Sequence, residues 1–148
     1  MKLLLSILLI LCCNICNSQQ KKHIDKKWVR IGLFTGSILL NAVGDGLYDQ
    51  NHKLISKSFK AASIGALLTV PLVSPPPKKK KAFKYVLTYG LLRFGLFDIA
   101  YNTSRGLPIN YVGTTSLQDR IIGGQPKLMI AVIRLSSIGV SIKLNDEL

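Results

Sequence analysis

WVRIGLFTGSILLNAVGDGLY, residues 28–48, decides how the rest of the chain is read. It is the one stretch whose apolar length by itself reaches the ~20 residues a helix needs to cross a bilayer. Gly32 and Gly36 stand four apart, and Ser37, Asn41, Asp45 and Asp49 follow on the neighbouring track, so small and polar residues share one side of a helix. That side is expected to face other helices, with Asn41 and Asp45 hydrogen-bonded across the seam. A second use of the same residues is an ion, proton or headgroup site on Asp45 and Asp49, because an ionisable group at membrane depth is costly to keep.

Working outward, three shorter apolar stretches follow at residues 59–73, 85–101 and 128–142. The first and last of these fall short of spanning length and need flanking residues, local thinning or a re-entrant path to cross. Ala61, Ala62, Gly65 and Ala66 let a second helix approach a neighbour closely, and Pro71 disfavours its continuation into the Pro75-Pro76-Pro77-Lys78 linker. The expected fold is all-α, a small membrane-embedded bundle of about four helices. Residues 1–18 are read as a signal peptide or uncleaved signal anchor, and residues 19–148 as a single helical membrane domain.

The N-terminus supports export. Lys2, the apolar run 3–11 and the small residues Cys16 and Ser18 before Gln19 form the three parts of a secretory signal, with cleavage expected after Ser18. A lipoprotein signal fits less well, because Cys12, Cys13 and Cys16 follow Leu11, Cys12 and Ile15 rather than small residues. Cleavage would deliver the lysines after Gln19 to the outside. The arms Lys21, Lys22, Lys26, Lys27 and 78–81 instead favour the inside, with residues 45–57 and 102–127 outside. The two signals disagree. The export signal is given more weight, since a translocating N-terminus can override lysine bias in later loops. A third arrangement has no membrane: four short helices exported as a periplasmic or secreted bundle with their apolar faces together.

Composition narrows the functions. In 148 residues, 48% are hydrophobic and mean hydropathy is +0.31, against a formal charge of +13. The basic residues gather at the edges of apolar runs, Lys21, Lys22, Lys26, Lys27 and Arg30 at one and Lys78 to Lys81 plus Lys84 at another, and aromatics do not alternate with them, so the charge suits anionic lipid headgroups and not nucleic acid. All cysteines lie in the first eighteen residues, which leaves the remainder without a disulfide, thiolate nucleophile or cysteine-ligated zinc. The turn at 48–53 lacks the spacing of a calcium loop, and no metal or cofactor is expected. No G-x-S-x-G, H-E-x-x-H, Walker or G-x-G-x-x-G motif is present, which disfavours the familiar hydrolases and nucleotide enzymes.

LLRFGLFDIAY, residues 91–101, holds Arg93 and Asp98 inside an apolar run, with Asn102 one turn beyond Asp98. Charges left alone in lipid are unfavourable, and five residues is poor spacing for pairing on one helix. Arg93 is therefore expected to pair with Asp45, and Asp98 with Arg134 of the last stretch. The connection 102–126 is longer than a plain helix link needs. Ser116 and Asp119 resemble a capping box for a short helix at 117–122 with Leu117 and Ile121 facing inward. Arg105, Asn110, Tyr111 and Arg120 either line a polar mouth or, as is favoured for so turn-rich a segment, satisfy loop backbone.

Asn41-Ala42-Val43-Gly44-Asp45-Gly46-Leu47-Tyr48-Asp49, residues 93–98, Tyr101-Asn102, Arg105-Gly106-Leu107-Pro108 and residues 111–116 together resemble a group of uncharacterised small helical membrane proteins of bacterial and phage genomes. The resemblance covers most of the chain after the signal and implies a membrane bundle without implying a reaction. Two functions are carried forward. One is a structural or interaction protein of the cell envelope whose charged residues fix helix partners, with small-residue faces for a partner protein or a second copy. The other is a solute or proton conduit, or a lipid-headgroup enzyme, drawing on a buried polar cluster of Asn41, Asp45, Asp49, Arg93, Asp98, Asn102 and Arg134, in which Asp45, Asp49, Asp98 and Asn102 line a cavity and Arg93 or Arg105 binds an anionic group.

Overall fold

A computed structural model describes residues 26–74, 79–113 and 117–148. The signal at residues 1–18, its cysteines, the proline linker and Ser116 lie outside the described residues. Within them the protein is all-helical: α1 (Lys26–Asp49), α2 (Lys53–Val73), α3 (Lys79–Ser104), the short α4 (Leu117–Ile122) and α5 (Lys127–Asp146). Each long helix extends past its apolar stretch into flanking lysines. Of these, α1 and α5 are long and apolar enough to cross a membrane.

Backbone chemistry sets the ends. After α1, Asn51 takes φ 65°, and the N–H groups of Asn51 and His52 close back on Tyr48 O at 3.0 Å and Leu47 O at 2.9 Å. This is a Schellman stop with asparagine in the left-handed position that glycine usually fills. α3 ends the same way: Gly106 has φ 70°, and Gly106 N and Leu107 N donate to Thr103 O and Asn102 O at 3.1 and 2.8 Å. Pro71 does not end α2 at once. The helix runs on to Val73, where Ser74 N reaches Val70 O at 2.8 Å.

α1 is the central helix. α2 packs antiparallel along it, α3 lies parallel to it, and α5 packs antiparallel on α3. The apolar core is small: Ile31, Phe34 and Ile38 of α1 meet Val70 and Leu92. Phe34 sits edge-on to Tyr85 and Tyr89, at centroid separations of 5.3 and 5.2 Å. Each such ring pair adds about 1 kcal/mol beyond area burial.

Much of what lies between the helices is polar. Ser63 Oγ donates to Ser37 O at 2.7 Å between α1 and α2, and Ser141 Oγ donates to Thr88 O at 2.8 Å between α3 and α5. Glycines bring backbones together. A Cβ on Gly95 would stand 2.7 Å from Arg134 O, and one on Gly44 would stand 3.2 Å from Ser56 O. The expected Gly32–Gly36 seam is corrected: a Cβ at either position meets nothing within 4 Å, so this face of α1 points outward. The polar members of that expected side do face other helices, Ser37 and Asp45 meeting α2 and Asn41 meeting α3, and the covered side of α1 carries Phe34, Ser37 and Ile38.

Candidate functional site

Arg134 is the centre of the best-organised polar cluster. The spacing of α5 places it on the face carrying Ile130, Ile138 and Ser141, against α3, where it is only 2% exposed. Its Nη2 donates to Asp98 Oδ2 at 2.8 Å, so the Asp98–Arg134 pair forms across α3 and α5. Its Nη1 donates to Ile109 O at 2.7 Å, and Nη2 also reaches Tyr111 O at 3.4 Å. Asn102 Nδ2 donates to Tyr111 O at 2.9 Å and Ile109 O at 3.4 Å. One arginine and one asparagine thus hold two carbonyls of the loop after α3 down on the helices. Arg134 Nε is buried without a hydrogen-bond partner.

The remaining predicted residues fall into separate networks. Asp45 does not pair with Arg93: it takes Lys60 Nζ at 2.6 Å, and that ammonium also lies 5.2 Å from the Tyr48 ring centroid. Asp45 is on the α2 side of α1, where Lys60 is the nearer cation. Arg93 instead stacks over Phe97 at 4.4 Å. With its amide turned to present oxygen, Asn41 accepts from Arg93 Nη1 and Nη2 at 3.1 and 3.2 Å. Asp49 is exposed, not buried. It accepts from Tyr101 Oη and sits 3.5 Å from Arg105 Nη1, which donates to Tyr101 Oη at 2.8 Å.

Arg105, Asn110, Tyr111 and Arg120 do not share one set of contacts. Arg105 turns to α1, Tyr111 uses its backbone carbonyl while its ring stays exposed, Asn110 is half-buried and Arg120 is exposed. Ile121 is 63% exposed, and its neighbour Ile122 takes the inward place. Among the described residues, no group of three or more histidine, cysteine, aspartate or glutamate side chains could hold a metal ion.

At the opposite end the sequence reading missed a second buried arginine. Arg30, 5% exposed, donates from Nε to Asn145 Oδ1 at 2.7 Å, from Nη2 to Asn145 O at 2.8 Å and from Nη1 to Ser74 Oγ at 3.0 Å. Asn145 in turn donates to Lys27 O at 2.9 Å. One residue thus joins α1, the end of α2 and the last turn of α5, whose outward carbonyls attract a cation. The signal was available: Arg30 stands four residues before Phe34 and eight before Ile38, on the stripe that becomes the core.

Chemically, these contacts clamp helices and a loop. Among the described residues, Asp45 and Asp49 of α1 and Asp98 of α3 meet three different cations, Lys60, Arg105 and Arg134. No family model matches the chain, and no curated protein or solved structure is detectably similar to it.

Proposed function

We propose that the chain is a small integral membrane protein of a bacterial cell envelope with a structural or interaction role. The observation that carries this reading is the direction of its polarity. Arg30, Ser37, Ser63, Thr88, Asn102, Arg134, Ser141 and Asn145 are buried between helices, while Leu54, Ile64, Leu68, Leu72, Val86, Leu128, Val132 and Leu135 face outward. A bundle in water would turn those leucines and isoleucines toward one another. A bundle in lipid has no such incentive and gathers small and polar residues at its contacts.

Trp28 and Tyr48 add a ruler. They are 58% and 48% exposed at the two ends of α1. The helix between them runs about 30 Å at about 1.5 Å per residue, which is the thickness of a hydrocarbon core. Amphipathic rings at both headgroup levels suit that placement.

Alkaline carbonate washing of membranes from expressing cells tests the reading. Retention in the pellet is expected. Release would mean an exported soluble bundle and would return the outward leucines to a contact surface in water. Co-purification of one specific protein with the retained chain is the expected sign of the interaction role.

A further inference from the structure

We propose that the end of the bundle where α1 and α3 begin lies against the anionic, cytoplasmic leaflet, with negatively charged lipid headgroups as the partner of its lysines. The proposal rests on the membrane reading and adds the orientation and the lipid chemistry. Its basis is the parallel arrangement of α1 and α3, which sets both basic arms at one end. Phe34 packs on Tyr85 and Tyr89 near the helix starts, and Gly46 meets Ser104 near the finishes. α5 runs the other way and brings Lys143 to the same end.

Both ends pair some cations with carboxylates, and they differ in how their lysines are gathered along the chain. At the far end Lys60, Arg105 and Arg134 are each held by an aspartate of the fold: Asp45, Asp49 and Asp98. That end also exposes Lys53, Lys57, Arg120 and Lys127, but it has no unbroken lysine run. At the near end Lys27 and Lys84 meet Asp146 and Glu147 at 3.2 and 2.5 Å, while Lys26 and Lys143 are exposed. The sequence places Lys79, Lys80 and Lys81 in the first turn of α3. Exposed Trp28 shares this end. Lysine gathered beside spanning helices is drawn to anionic headgroups and stays on the cytoplasmic side. That orientation and cleavage after Ser18 on the outer side exclude each other.

The test uses the full chain with Cys12, Cys13 and Cys16 changed to alanine and one new cysteine, either His52→Cys in the α1–α2 turn or Leu148→Cys. Intact bacterial spheroplasts are treated with a membrane-impermeant maleimide and compared with lysed ones. His52→Cys is expected to label before lysis and Leu148→Cys only after it. Changing Lys26, Lys27, Lys79, Lys80, Lys81 and Lys84 to glutamine is expected to abolish that protection of Leu148→Cys. Labelling of Leu148→Cys before lysis in carbonate-retained protein, or a mature N-terminus at Gln19, overturns the orientation and leaves the membrane reading standing. Labelling of neither site before lysis overturns it too. Unchanged protection in the glutamine variant overturns the lysine–headgroup partnership, and release by carbonate overturns the membrane reading itself.

Discussion

Arg30 and Arg134 stand at opposite ends of the bundle, both buried and both donating across helices, yet to different acceptors. Arg134 meets a carboxylate that is 17% exposed and two loop carbonyls. Arg30 meets an amide oxygen, a hydroxyl and the carbonyl of a helix's last turn. Removing a guanidinium leaves different things behind. At the Arg134 end it takes a charged donor from Asp98 and from two loop carbonyls, whereas at the Arg30 end it takes a donor from the neutral side chains of Asn145 and Ser74 and from one helix-end carbonyl. A contact between two charged groups out of water contributes more than one between a charged and a neutral group. The two ends are therefore expected to differ in fragility although they resemble each other in burial.

The largest effect should come from Arg134→Leu, which is expected to lower stability by about 4 kcal/mol, as for other broken buried pairs. Denaturant or thermal unfolding in detergent reads it. Asp98→Leu added to Arg134→Leu should recover part of that loss. A double variant no better than the single would show that the loop carbonyls, not the carboxylate, set the cost. Exchanging the two charges should restore less, because an aspartate at 134 cannot donate to Ile109 O and Tyr111 O.

Gly95→Leu tests the same α3–α5 contact without touching a charge. Its Cβ would press on Arg134 O and Ile138, and about 3 kcal/mol of overpacking is expected. An unchanged melting temperature would mean that the two helices are not held at this separation.

Arg30→Leu should cost about 2 kcal/mol, the range for leaving buried neutral groups unsatisfied. If it equals or exceeds Arg134→Leu under the same conditions, the contrast between the ends fails.

The helices were legible because apolar runs bounded by lysine and turn residues are a local signal. The Asp98–Arg134 contact was legible for a different reason: two charges in apolar runs have few partners. Asp45 misled because it had two cations available, and which is nearer depends on how α2 lies along α1, a fact of packing that spacing does not carry. Gly32 and Gly36 misled for a related reason. Small residues permit close approach without saying that a helix is there, and here the neighbours of α1 lie on its Phe34 side. Arg30 went unseen because it adjoins a lysine arm and reads as part of it, although its periodicity belongs to the core.

The smallest effect tests whether the hydroxyl pair of Ser37 and Ser63, one part of the α1–α2 contact, contributes little energy. Ser63 Oγ lies 3.1 Å from Ser37 Oγ and donates to Ser37 O at 2.7 Å. Ser63→Ala removes both contacts and should cost about 0.6 kcal/mol, the average for polar contacts between membrane helices. Ser37→Ala should cost less, since the backbone carbonyl that Ser63 uses survives the substitution. The double variant should then match Ser63→Ala alone. If Ser37→Ala proves the more damaging, the hydroxyl pair is the stronger contact and the backbone acceptor the weaker. A loss of about 2 kcal/mol, above the largest such contacts measured between membrane helices, would make this neutral seam as consequential as the Arg30 cluster and remove charge as the feature that separates fragile contacts from tolerant ones.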